Sequence, residues 1–137
     1  MNTSDKHLRF GWWSLFFWLC LGLGLETLHG FKVGWYLDVG AEMRRLMFTL
    51  AHAHGTLLAL VNIAAGLTAR AQNAELPRGA SGALTWGAVL LPAGFLLGGV
   101  WIHDGDPGVG VALAPVGGLL LLYGVFGAAR AFTASKR

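Results

Sequence analysis

Glu26 and His29 stand three residues apart in "LETLHG", and His52 and His54 stand two apart in "LAHAHG". Both pairs lie in runs that are otherwise apolar. His103 follows with Asp104 and Asp106 in "WIHDGDPG". Imidazole and carboxylate together can ligate a metal ion or relay a proton. On a helix, a spacing of three puts Glu26 and His29 on one face with Gly22, Leu19 and Leu15. Carboxylate-bridged metal sites use this Glu-x-x-His spacing on bundle helices, but no second copy occurs here to make a di-iron pattern. A spacing of two does the reverse. At about 100° per residue, His52 and His54 point about 200° apart, so one regular helix cannot offer both to one metal. His52 falls with Thr49, Gly55, Thr56, Ala59 and Gly66, a small-residue face of the type that packs inward in lipid. His54 falls with Met47, Leu50, Leu58 and Val61, a bulky face expected to meet lipid or another subunit.

The candidate ligands are therefore Glu26, His29, His52 and His103. Around them, or at an interface, stand His54, Asp104, Asp106, Arg45 and Asn62. Asp104 or Asp106 would close the site from above. Arg45, with Arg44, would meet lipid headgroups, neutralise Glu26 or hold an anion. Asn62 would donate a hydrogen bond across helices. A donor set without soft sulfur suits Zn²⁺, Cu²⁺ or iron better than Cu⁺. A haem held between His29 and His52 on facing helices is the other form such a pair can take. The single cysteine, Cys20, excludes a disulfide framework, a Cys-rich metal site and a c-type haem attachment. Among Leu and Trp it reads as a buried, inert thiol. No phosphate-binding G-x-x-x-x-G-K-[ST] loop and no Ser-His-Asp motif occurs, so no catalytic residue is assigned.

The elements that must position these groups are membrane helices. Of 137 residues, 55% are hydrophobic and 12% charged, about half the charge of a soluble domain. Mean hydropathy is +0.57. Four apolar runs cover residues 10–31, 46–69, 79–102 and 107–132. Each holds roughly 20 residues or more, enough to cross a ~30 Å hydrocarbon core as a helix. The first run is too long and too Trp-rich for a cleaved signal peptide, and no A-x-A site follows it. The fold class expected is all-α, a single four-transmembrane-helix bundle over residues 1–137. Its loops are short except for one longer outer loop between the first two helices.

Lys and Arg set the orientation. With the N-terminus inside, inner segments hold Lys6, Arg9, Arg70, Arg78, Arg130, Lys136 and Arg137, and outer ones hold Lys32, Arg44 and Arg45. The bias predicts both termini inside. The net charge of +3 is spread along span flanks rather than forming a patch, so the partner is a lipid bilayer and not nucleic acid. Trp12, Trp13 and Trp86 then fall near the inner interface, with Trp35, Tyr36 and Trp101 near the outer one. In "KVGWYLDVGAEMRR" there is room for a short interfacial helix, with Asp38 as its cap and Glu42 near its start. Gly30/Gly34, Gly94/Gly98 and Ala114/Gly118 have the spacing that lets helices approach closely. Pro92 and Pro115 are expected to interrupt or kink spans three and four. This topology puts Glu26, His29, His52, His54 and His103 in the outer half and leaves almost nothing ionisable in the inner halves.

The pattern "HGFK" at the end of span one, "RRLMFTLAHAHGTLLAL" into span two and "APVGGLLLLYGVFGAA" in span four resembles the YgdD-like family. These are small four-helix bacterial inner-membrane proteins with no established activity. The likeness covers most of the chain. It implies a multi-pass protein of the bacterial cytoplasmic membrane. His29, Gly30 and Lys32 would match the first-span signature, His52 or His54 the second-span histidine, and Pro115, Gly117 and Gly118 the fourth-span turn. Glu26 departs from the family pattern, as does "LLPAGFLLGGVW" in span three. Two functions follow as expectations. One is a metal or haem site serving redox or metal handling. The other is an accessory subunit, as a homo-oligomer or in a larger membrane complex, whose His and Glu only fix packing. A proton-linked carrier is a third, and would need an oligomer.

Overall fold

The computed structural model describes residues 2–134, and every long element in it is a helix. The order is α1 (Thr3–Gly30), a single turn α2 (Gly34–Leu37), a 3₁₀ turn (Val39–Ala41), α3 (Glu42–Ala71), α4 (Arg78–Val100), a second 3₁₀ turn (Val109–Ala112) and α5 (Leu113–Ala134). Four of these are long and apolar enough to span a membrane: α1, α3 with its preceding turn, α4, and α5 with its preceding turn.

Local chemistry sets the ends. Asn2 caps α1 by accepting from the Asp5 N–H at 2.8 Å, and Asp5 sits in the first turn where the helix dipole favours a negative charge. The helix therefore starts seven residues before the apolar run at 10–31, and carries Lys6, His7 and Arg9 on its first turns. α1 and α3 end alike. Val33 N–H reaches Leu28 C=O, and Ala74 N–H reaches Ala69 C=O, each at 3.0 Å. Lys32 (φ 51°) and Asn73 (φ 48°) take the left-handed conformation these closures need. Pro92 lies inside α4 and is fully buried. Pro115 instead falls in the first turn of α5, where no intrahelical N–H is lost.

The helices form an open row rather than a closed bundle. α3 packs against α1 on one side and α4 on the other, α4 packs against α5, and α1 and α5 do not touch. The most apolar windows of α3 and α4 are 39% and 44% buried against 11% and 17% for α1 and α5, which places the core along the two middle helices. The α1–α3 seam repeats every seven residues: Ser4, Gly11, Trp18 and Leu25 are buried on α1, facing Asn62, Gly55 and Phe48 on the antiparallel α3. It interdigitates large residues into glycine gaps. Leu8 fills the space over Gly66, Ile63 that over Gly11, Trp18 that over Gly55 and His52 that over Gly22. Close approach of this kind supplies van der Waals association where lipid removes most of the hydrophobic drive. The expected pair Gly94 and Gly98 does meet α5 and the turn before it, at Ala114 and Val111. Gly30, by contrast, has nothing near it, and Gly117 against the Leu91 backbone takes the role expected of Gly118.

The α1–α3 connection differs from expectation in two respects. Asp38 makes no capping bond, and Glu42 is the first residue of α3. Tyr36 is buried within the chain: it is 5% exposed and packs with Leu25 and Phe48. Its burial follows from the arginines beyond it. Arg45 donates to the carbonyls of Tyr36 and Asp38 at 3.0 Å, and Arg44 donates to those of Trp35 (2.8 Å) and Gly99 (3.3 Å) while stacking over the Trp35 ring. Both guanidiniums thus serve the backbone of the α1–α3 connection. Arg45 is also 4.0 Å from Glu42 rather than paired with Glu26.

Candidate functional site

A cleft of about 310 Å³ opens between the last turns of α1 and the facing turns of α3, lined by Glu26, His29, Tyr36, Thr49 and His52 among others. Three of the four expected ligands therefore share one cavity. His52 is the fixed member. Its Nδ1 lies 2.9 Å from the backbone carbonyl of Trp18, so that nitrogen carries the proton and donates. The ring fits where a side chain on Gly22 would sit. Nε2 is left as the acceptor, with no hydrogen-bond partner among the described residues. Glu26 and His29 differ in kind. Both are exposed, on the flank of α1 turned away from most of its packing against α3, and Glu26 forms no ion pair among the described residues.

His103 does not line the cleft. It opens a tight turn in which His103 and Asp106 exchange both backbone hydrogen bonds, at 2.8 and 3.1 Å. Asp104 (φ 49°) and Gly105 (φ 88°) take the two left-handed positions of a type I′ hairpin. Asp104 and Asp106 are exposed on that turn and do not line the cleft either. Among the described residues, no three His, Cys, Asp or Glu side chains are placed to hold a metal ion.

His54 points away from His52, as helix phase requires, but it does not face lipid. Its ring lies 5.1 Å from that of Phe95 on α4, its Nδ1 is 2.8 Å from the Leu50 carbonyl, and Met47 and Leu58 on the same face are buried. The bulky face is where α3 meets α4. Cys20 is exposed, not buried, because α1 is an end helix that packs mainly against α3 and touches α4 only sparsely.

A fully hydrogen-bonded buried polar cluster lies at the other end of the molecule, inside the packed helices rather than among the flanking charges. His7 is 0% exposed and joins three helices: Nδ1 is 2.8 Å from Asn62 Oδ1 on α3, and Nε2 is 2.9 Å from Ser81 Oγ on α4. Asn62 Nδ2 donates to the Leu58 carbonyl of its own helix at 2.9 Å, which turns its Oδ1 toward His7. So His7 Nδ1–H donates to Asn62, and the Ser81 hydroxyl donates to His7 Nε2. Asn62 accepts across helices rather than donating. A neutral imidazole satisfies every member of this chain. Asn62, mid-span and needing a partner, was the sequence signal for it.

Comparison with protein-family models, with curated proteins and with solved structures yields no match.

Proposed function

We propose that this chain is a four-span protein of a bacterial inner membrane, both termini cytoplasmic, that holds a divalent transition-metal ion in the α1–α3 cleft. One observation carries the reading: His52 Nδ1–H is held by a backbone carbonyl, Nε2 has no hydrogen-bond partner among the described residues, and His52 lines a cleft with Glu26 and His29. Metal-ligating histidines are oriented in this way, through a hydrogen bond on the other ring nitrogen. Glu26 and His29, one turn apart on an uncovered face, can swing in to complete a set with water in the remaining position. Imidazole with carboxylate suits Zn²⁺, Cu²⁺ or iron. A cleft of about 310 Å³ favours an ion with its waters over an enclosed haem. Kinship with the YgdD-like proteins belongs to the same reading and rests on the quoted motifs.

The test is metal content and a visible spectrum of the protein purified in mild detergent, with Co²⁺ titration beside it. Wild type should take about one ion per chain. His52→Ala should abolish that, Glu26→Gln and His29→Ala should weaken it, and His103→Ala should leave it unchanged. A wild type that binds neither Zn²⁺ nor Co²⁺, or a folded His52→Ala that binds as wild type does, would sink the site.

A second reading is favoured by a different observation. Glu26 stands exposed on the flank of a membrane helix with no ion-pair partner among the described residues, and an ionised carboxylate facing lipid is costly. An accessory subunit would bury Glu26 and His29 against another chain. Metal-free protein co-purifying with a second membrane subunit, and losing it on Glu26→Leu, gives that outcome.

A further inference from the structure

α1 and α4 both lie against α3 and run in the same direction. They meet at the His7–Ser81 bond and leave between them a groove of about 650 Å³. Its walls are apolar, with Trp13 and Phe17 from α1 and Ala93 and Leu96 from α4. Its mouth is cationic. Lys6 and Arg9, three apart on α1, both border the groove, both are exposed, and neither is engaged in an ion pair or hydrogen bond among the described residues. The nearest acid on α1, Asp5, is bonded to Arg70 instead. From Lys6 to Trp18 the groove runs twelve residues, about 18 Å at 1.5 Å per residue. That is the half-thickness of a ~30 Å hydrocarbon core plus a headgroup layer. Beyond Leu96 a second groove of about 590 Å³ continues along Cys20 to Leu28 with no basic residue on it. Charge thus marks one leaflet only.

We propose that the α1–α4 groove is a binding site for one anionic phospholipid, in the leaflet that holds the N-terminus. Lys6 and Arg9 hold the headgroup phosphate, and one acyl chain lies between Phe17 and Ala93. Both headgroups carry the phosphate, but only the zwitterionic one adds an ammonium that the two cations repel, which gives selectivity for the anionic lipid, and the aromatic walls give a fixed seat for the chain. The site is independent of the metal cleft, which lies at the far end of α1.

Native mass spectrometry of the full chain, exchanged into phosphatidylglycerol or phosphatidylcholine of identical acyl chains, tests this. Wild type should retain one phosphatidylglycerol per chain, at least about tenfold more strongly than phosphatidylcholine. Lys6→Gln with Arg9→Gln should bring the two lipids to parity while the far-UV spectrum and melting curve stay unchanged. Ala93→Trp, which fills the groove and keeps both cations, should lose the retained lipid. Equal retention of both lipids by wild type, or a preference that survives Lys6→Gln/Arg9→Gln, overturns the proposal. So does a lipid-free dimer, which would mean that a second copy fills the groove.

Discussion

Replacing His7 by leucine keeps most of the side-chain volume and removes both of its interhelical hydrogen bonds, to Asn62 and Ser81. Hydrogen bonds between membrane helices contribute about 0.6 kcal/mol on average and up to about 2 kcal/mol each. Ser81 loses little further, because a helical serine can turn to its own i−4 carbonyl. Asn62 fares worse. It is 0% exposed, its Nδ2 is already committed to Leu58, and its Oδ1 would be stripped of any partner, at about 1–3 kcal/mol. His7→Leu should therefore cost about 2–3 kcal/mol. Removing both partners differs from removing one, since apolar replacement of a whole hydrogen-bonded pair is often close to neutral. His7→Leu with Asn62→Leu should accordingly recover at least about 1 kcal/mol relative to the sum of the two single changes. Reversible unfolding by sodium dodecyl sulfate in mild-detergent micelles, followed by far-UV circular dichroism, gives all three free energies. Additivity within about 0.4 kcal/mol would show that the residues do not act as a unit, and the account of His7 as the three-helix lock would fail.

The α1–α3 seam makes a steric prediction. Gly55→Ala places a methyl group inside the Trp18 ring and should cost about 1–3 kcal/mol, with relief when Trp18→Leu is added. Gly24→Ala, where nothing lies within 4 Å, should be neutral or slightly stabilising by the same melting assay. At the α4–α5 turn, Gly105→Ala forces a side chain into φ 88° and should lower stability by about 1 kcal/mol, whereas Asp104→Asn should be tolerated. The Asp5–Arg70 bond joins two half-exposed side chains. Asp5→Gln should move stability by less than about 1 kcal/mol, and less again at high salt.

The four spans were legible from hydropathy because lipid makes apolar length a physical requirement. Their starts were less so. Hydropathy stops at Phe10, yet α1 begins at Thr3, since the Asn2 cap and the burial of His7 decide the first two turns. Helix phase correctly separated His52 from His54 and placed His52 on the glycine seam. It could not say that α3 lies between α1 and α4, so the face with His54, Met47 and Leu58, expected to meet lipid or another subunit, belongs instead to the α3–α4 contact. His7 was passed over for a related reason. It sits among Asp5, Lys6 and Arg9 and reads as a flanking charge. Only the seven-residue repeat Ser4, Gly11, Trp18, Leu25 shows that the packed face extends past it. Cys20 is exposed and Tyr36 buried because exposure depends on how many neighbours a helix has. α1 is an end helix that packs mainly against α3, and α2 is pressed onto it by Arg45.

Burial divides the five histidines by what each can do. His7 has both ring nitrogens occupied and no access to solvent. A metal or proton could reach only Nε2 and would first have to displace the Ser81 hydroxyl in a fully buried site, so His7 acts by holding α1, α3 and α4 in register. His54 spends one nitrogen on its own helix and its ring on Phe95, which ties it to the α3–α4 contact. His103 starts a tight turn and stands in solvent. His29 is exposed and its ring makes no hydrogen bond among the described residues, so nothing there holds it in place. Among the described residues, His52 alone combines a pinned ring, a second ring nitrogen without a hydrogen-bond partner and a place in the wall of the α1–α3 cleft. The rigidity comes from Gly22, whose missing side chain lets the ring settle against the Trp18 carbonyl. Gly22→Ala should therefore weaken ion binding at His52 without touching any ligand. Gly24→Ala, two residues along the same helix, should leave binding as it is.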